Sequence, residues 1–345
     1  MSVIRGLDIF CGAGGGSWGA RASGVNFVGA IDMCANATQT YKANFPDTWV
    51  VTSRLEDVDV ASLVRRLGRV DLLLSSPECT NHTCAKGSAP RDESSRATAM
   101  HVVSYARAFR PRWLVLENVV HMRPWTRYEE LKSELRSLGY RLAEQILNAA
   151  DFGVPQSRRR LFLVGDLKGD PKLIDATATH LRPVVANILD QTESWPMTPL
   201  RRQGRAQATL DRADRAVAAI GKETPFLIVY YGTDGSGGWQ RLTRPLRTIT
   251  TVDRFALVVP SPDGHRMRML QVPELSRAMG FDDVFKFNFG TRRDRIRMLG
   301  NGICPPVMKA VVGALTGSEG SPAKPRLRVG DMLHDTVQEL ISESA

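Results

Sequence analysis

Two residues in this chain have the types and the setting for covalent chemistry on an electrophile. Cys79 follows the apolar run Val70-Asp71-Leu72-Leu73-Leu74, in the turn Ser75-Ser76-Pro77-Glu78-Cys79-Thr80. Further along, Trp113-Leu114-Val115-Leu116 runs into Glu117-Asn118-Val119. Each apolar run reads as a buried strand, which puts a thiol and a carboxyl group at the ends of two strands of one predicted sheet. Ligands of α/β sheets bind at those ends. A thiolate is a strong nucleophile, and a carboxyl group in a closed pocket can protonate a ring that must accept it. A free cysteine is more often a buried structural residue; the polar, proline-containing turn around Cys79 argues for an accessible one.

A glycine-rich turn, Phe10-Cys11-Gly12-Ala13-Gly14-Gly15-Gly16-Ser17, follows the strand-like Leu7-Asp8-Ile9-Phe10. Glycines let a backbone approach a ligand and adopt positive φ. A second run, Phe27 to Ile31, ends at Asp32, where an acidic side chain can hydrogen-bond ribose hydroxyls. Met33 is then placed to cover an adenine face. Glu56-Asp57 is placed near the end of a third strand to accept from an adenine amino group. The spacing lacks a Gly-x-Gly-x-x-Gly phosphate clamp, and no Gly-Lys-Ser/Thr follows, so a nucleoside cofactor without phosphates fits best.

The elements that must position these residues alternate. Between the strand-like runs, which include Arg160 to Gly165, lie helical stretches such as Tyr128 to Leu138, closed by Gly139. Alternating strand and helix predicts a doubly wound, Rossmann-like α/β sheet. Residues 1–166 form its first part. Residues 167–247 change character, with several prolines, Arg201-Arg202-Gln203-Gly204-Arg205 and the glycine-rich stretch Gly232 to Gly238, and read as a small, loop-rich inserted domain. Residues 248–317 return to the regular pattern, with helices at Val272 to Met279 and from about Gly300 to Leu315. Residues 318–345 read as a linker and an amphipathic tail.

The 345 residues are 43% hydrophobic and 24% charged, which suits a soluble globule. No run approaches ~18 apolar residues, so no membrane span is expected, and the N-terminus lacks a signal-peptide pattern. The cysteines at 11, 34, 79, 84 and 304 form no Cys-x2-Cys pair, and His82, His101 and His121 lack ligand spacing; neither a disulfide framework nor a metal site is expected. A reducing cytoplasm fits. The net charge of +10, carried mostly by arginine, favours a polyanionic partner.

Taken in order, these motifs resemble the cytosine-C5 DNA methyltransferase family, over about residues 5 to 315. Leu7 to Gly15 resembles its first motif, and Ala30-Ile31-Asp32-Met33 with Tyr41-Lys42-Ala43-Asn44-Phe45-Pro46 its second. Pro77-Glu78-Cys79 resembles the nucleophile motif and Glu117-Asn118-Val119 the Glu-Asn-Val motif. Gly153 to Arg160 matches Gln-x-Arg-x-Arg. Glu274 to Phe281 and Gly300-Asn301-Gly302-Ile303-Cys304-Pro305-Pro306 resemble the last two. The family's usual Pro before the cysteine and Gln after it are Glu78 and Thr80 here.

The resemblance implies S-adenosyl-L-methionine as cofactor, held by Phe10, Gly12, Gly14, Asp32, Met33, Asp57 and Asn301. It implies Cys79 as the thiolate that adds to cytosine C6 and Glu117 as the group bonding N3 and the amino group. Arg160 or Arg158 would donate to the base O2 and position Glu117; alternate strand residues share a face, so these two point together and Arg159 away. The base must be flipped out of its duplex. Thr80 to Ala97, with Lys86 and Arg91, would close over it. Asn118 is placed among the substrate-binding side chains, though fixing the local backbone suits it as well. By position the insertion resembles a target recognition domain, with Arg201, Arg202 and Arg241 on DNA. The expected partner is double-stranded DNA, bound by a monomer in the cytoplasm of a prokaryote or phage host. The alternatives are a tRNA cytosine-C5 methyltransferase and a catalytically inactive DNA-binding regulator on the same fold.

Overall fold

A computed structural model describes residues 3–77, 97–174, 182–191, 194–231 and 237–318. The chain opens with β1 (Ile4–Ile9), α1 (Gly15–Arg21), β2 (Val25–Asp32), α2 (Ala35–Asn44), β3 (Trp49–Thr52), α3 (Val60–Leu67) and β4 (Leu72–Ser75). It continues with α4 (His101–Phe109), β5 (Trp113–Asn118), α5 (Tyr128–Ser137), β6 (Arg141–Asn148) and β7 (Arg159–Asp166). Next come β8 (Thr198–Pro199), α6 (Gln207–Ile220), β9 (Phe226–Val229), β10 (Trp239–Arg241), β11 (Phe255–Val259) and β12 (Arg266–Met269). Helices α7 (Val272–Ala278), α8 (Arg292–Asn301) and α9 (Pro305–Thr316) close the described chain.

Seven strands form one sheet in the order β3-β2-β1-β4-β5-β7-β6. The first five are parallel, while β7 runs antiparallel to both β5 and β6. Period-two alternation explains its two covered faces. Leu73, Leu114 and Leu116 pack with α4 and α5 on one side; Leu72, Leu74 and Val115 join the core with α9 on the other. The strand order reverses between β1 and β4, so a crevice opens at their C-terminal ends, where loops leave in opposite directions. The glycine turn after β1 and the turn toward Cys79 after β4 therefore flank one switch point. This is the doubly wound fold expected from the sequence.

The glycines make one close approach possible. A Cβ on Gly19 would sit 2.2 Å from the Pro305 carbonyl oxygen, and one on Gly15 would sit 2.4 Å from that of Ile303. Helix α1 therefore lies backbone to backbone against the start of α9, bringing the first and last motifs together.

Two expectations need correction. The smaller domain does not end at residue 247. It is a five-stranded antiparallel sheet ordered β10-β9-β11-β12-β8, with β11 and β12 carrying it to Met269. Nor is it mainly loops: Phe226 and Ile228 face α6 with Ala213 and Ala216, while Leu227 and Val229 face the main core. The antiparallel β6 was also not foreseen, because Arg141, Glu144 and Gln145 break its apolar pattern at the sheet edge. One window within Arg292–Thr316 is apolar and long enough to cross a membrane, but most of that window is buried here as core. The linker and tail from residue 319 on lie outside the described residues.

Candidate active site

At the end of β5, Glu117 is buried and its carboxylate lies 3.2 Å from the Nε of Arg160 on β7. Strand β7 runs antiparallel beside β5, which carries Arg160 back to the strand end that holds Glu117. Burial pushes the Glu117 carboxyl above the usual carboxylate range, and the cations of Arg160 and Arg158 pull it only partly back. Removing a charge from water costs more here than the ion pair returns. The shift runs in the direction that a general acid requires.

Glu117, Arg158, Arg160, Phe162, Ile303 and Cys304 line one small cavity. Glu117 and Arg160 come from the strand ends, Ile303 and Cys304 from the approach to α9. Cys304 carries no chemical signal in its local sequence, yet its buried thiol, pushed up to about 11 by desolvation, feels both arginines and Glu117. Its place next to Pro305 in the closing motif was the only signal that could have found it.

Arg158 and Arg160 do line the same cavity, but they do different things. The Arg158 guanidinium donates to the carbonyls of Ile249 at 3.0 Å, Gly300 at 2.7 Å and Gly302 at 2.8 Å. It therefore clamps the stretch before β11 to the end of α8. Gln156 adds to that seam, accepting from Ile249 N–H and donating to the Ala278 carbonyl. Asn118 has the backbone-fixing contacts that its position suggested. Its amide donates to the Pro77 carbonyl at 3.1 Å and accepts from Val119 N–H at 2.8 Å, and the residue is buried. Both ends serve the backbone, so it ties the end of β5 to the turn that leads to Cys79. Cys79, Lys86 and Arg91, with Glu78 and Thr80, lie outside the described residues.

Around the glycine turn, Phe10 has φ +59, a left-handed backbone conformation rare for a bulky side chain and the kind of strain that concentrates at ligand sites. Gly12 has φ +53, and a Cβ added there would meet nothing within 4 Å, so that edge of the turn is open. Gly14 caps α1 in the left-handed region. The Asp32 carboxylate accepts from Gly12 N–H and from Cys34 N–H, both at 2.8 Å, which fixes the turn against the end of β2. Met33 beside it is 56% exposed. Asp57 is exposed in a short 3-10 turn after β3, and its neighbour Glu56 pairs with Arg54 and His101. Asn301 is exposed at the end of α8. An open glycine edge, an anchored carboxylate and two apolar covers, Phe10 and Met33, fit a nucleoside cofactor. Beneath the turn, Tyr41 donates to Ser17 and Ser17 to the buried carboxyl of Asp8.

In the smaller domain, Arg201 pairs with Asp214 on α6, while Arg202 and Arg241 are exposed. Arg205 is a turn brace, bonded to the carbonyls of Leu200 and Pro199. Among the described residues, no group of three or more His, Cys, Asp or Glu side chains is placed to hold a metal ion.

The C-5 cytosine-specific DNA methylase family model matches residues 4–317. The type II methyltransferase M.XorII of Xanthomonas oryzae is 26% identical, with 96% of this chain and 89% of the relative aligned. M.DdeI of Desulfomicrobium norvegicum is 34% identical over 53% of this chain; that alignment spans only 48%, about half, of the relative's length. Among solved structures, the Dnmt2 methyltransferase of S. pombe superposes with TM-score 0.65 at 17% identity, covering 91% of this chain and 98% of that one. The Entamoeba histolytica methyltransferase EhMeth gives 0.66 at 16%, covering 93% and 100%. At such identities these two report the fold.

Proposed function

Because the chain belongs to the C-5 cytosine-specific DNA methylase family, we propose that it methylates C5 of a cytosine in double-stranded DNA, with S-adenosyl-L-methionine as methyl donor. The observation that carries this reading is the buried Glu117–Arg160 pair at the same sheet edge as the turn to Cys79 and the open glycine turn. S-adenosylmethionine, when bound, supplies an electrophilic methyl group; Phe10, Gly12, Gly14, Asp32, Met33, Asp57 and Asn301 are the residues proposed to hold it.

Cytosine C5 is too weak a nucleophile on its own. The Cys79 thiolate adds to C6, and the electron pair of the C5–C6 bond becomes available at C5. Glu117 donates a proton or a strong hydrogen bond to N3, which absorbs the charge that would otherwise build on the ring. Arg160 fixes the Glu117 carboxyl. After C5 has accepted the methyl, its proton leaves to water, the C6–S bond breaks and the thiolate is restored. The base reaches these groups only once it is out of the stack.

The test is a methyl-transfer assay on duplex DNA and on tRNA, together with a duplex carrying 5-fluorocytosine. Methyl transfer to duplex DNA and a covalent adduct on the peptide containing Cys79 are expected, because fluorine cannot leave C5 as a cation. Transfer to tRNA alone, or an adduct on a peptide lacking Cys79, overturns the reading.

A further inference from the structure

Helix α8 carries four arginines, and the fold uses them in two ways. Arg292 donates to Asp253, Gln271 and the Leu270 carbonyl. Arg295 donates to the Gly290 and Asn288 carbonyls. Those two anchor the helix. Arg293 and Arg297 are exposed, and among the described residues neither makes a hydrogen bond or ion pair. They stand four residues apart, and Asn301, also exposed, stands four beyond, so the three form one stripe along the helix.

The acidic residue of α8, Asp294, feels the charges of Arg297 and Arg293 but forms no ion pair with either among the described residues. Asp294 accepts from Thr291 N–H at 2.9 Å and from the Thr291 hydroxyl at 2.7 Å, forming the helix cap. The opposite face of α8 is buried, with Met298 against Thr40 of α2. The stripe also has a direction. At its Asn301 end, the flanking Gly300 and Gly302 carbonyls are held by Arg158, and the next two residues, Ile303 and Cys304, line the cavity with Glu117. Gly300 is pressed against the Thr250 backbone, since a Cβ there would come within 2.3 Å. The cationic stripe therefore leads away from the turn beside the cavity that Glu117 lines.

We infer that Arg293 and Arg297 form a phosphate-contacting surface that holds the DNA backbone beside the base being modified. This rests on the proposed duplex substrate. Four residues of helix rise about 6 Å, and each DNA strand carries one charge per about 3.4 Å of axis, so two long guanidinium side chains at that spacing reach phosphates about two steps apart on one strand. They would add sequence-independent affinity and fix the register of the duplex relative to Glu117. A merely solvated face would do neither.

The experiment compares wild type, Arg293→Gln/Arg297→Gln and Arg293→Lys/Arg297→Lys. Binding of a fluorescent cytosine-containing duplex is measured by anisotropy across a salt series. Losing two phosphate contacts should make the slope of log affinity against log salt shallower by about 1.8, with the lysine variant close to wild type. Affinity for S-adenosylhomocysteine by calorimetry should stay within twofold, showing that the fold and cofactor site are intact. Equal salt slopes in all three proteins overturn the inference. Methyl transfer by the wild type to the same duplex is run alongside: its absence sinks the substrate reading, whereas transfer with unchanged slopes sinks only the stripe.

Discussion

Arg160 reaches Glu117 at 3.2 Å, while Arg158, two residues earlier and on the same cavity wall, donates to three backbone carbonyls instead. Both cations pull on the Glu117 carboxyl group; Arg160 pairs with it directly, and Arg158 also holds the cavity wall together. Substitutions at the two should therefore fail differently.

Glu117→Gln removes the proton donor but keeps the shape. Turnover should fall about 10²–10⁴-fold with little change in cofactor affinity. Single-turnover methyl transfer and calorimetry separate the two effects. Turnover within threefold of wild type would remove Glu117 from the chemistry.

The pH dependence follows from the sign of the Glu117 shift. Burial raises its pKa, so the acid form persists to higher pH than in a free glutamate. Activity that needs it falls as pH rises through that raised value. Arg160 pulls the pKa down, so Arg160→Met should raise it further and move the alkaline limb of kcat/KM to higher pH, with a lower maximum. A limb that stays in place argues that the pair is not coupled in the working enzyme.

Arg158→Met should act on stability before chemistry. It leaves the carbonyls of Ile249, Gly300 and Gly302 without their donor, at a cost of at least about 1–3 kcal/mol. Urea unfolding should show a lowered midpoint. A variant of unchanged stability would return Arg158 to the list of base-contacting residues.

Asp8 supplies a test of the buried network under the glycine turn. Burial lifts its carboxyl from 3.8 to about 7, against a smaller opposing effect of the Ser17 hydrogen bond. A group raised on folding favours the folded state fully below its unfolded pKa, and that contribution is lost as pH rises through the folded value. The wild type should lose stability between about pH 4 and pH 7 from this group, and Asp8→Asn should flatten that loss. Parallel urea-midpoint profiles for the two proteins would mean that Asp8 stays ionised when folded.

A last variant probes the junction of the two sheets. Glu274 on α7 is fully buried and takes two hydrogen bonds from Arg268 of β12, at 2.6 and 2.7 Å, plus the Asp190 and Gln271 N–H groups. Glu274→Ala strands a buried cation and should cost about 3–5 kcal/mol. Glu274→Gln, which keeps an acceptor, should cost less by thermal unfolding. Equal losses would show that packing, not charge, dominates this site.

What the sequence determined by itself was the alternation of strands and helices through most of the main sheet, the glycine turn with Asp32 behind it, and the placing of Glu117 at a strand end with Arg158 and Arg160 on one face of another. Those features are local. A strand's period, a turn's glycines and a residue's parity are set by neighbours a few positions away, and they survive in the linear pattern. Tertiary structure alone decided which arginine meets Glu117. Parity puts Arg158 and Arg160 on one face, but the carbonyls that capture Arg158 come from residues 249, 300 and 302, far along the chain. The same holds for Asn118, whose partner is the Pro77 carbonyl on the neighbouring strand's turn, and for Cys304, which enters the cavity because α1 lets α9 approach. The extent of the smaller domain was hidden for a related reason. Strand β11 has the apolar character of the main sheet's strands and β12 alternates Arg with Met, and only antiparallel pairing with β9 and β8 assigns them to the second sheet.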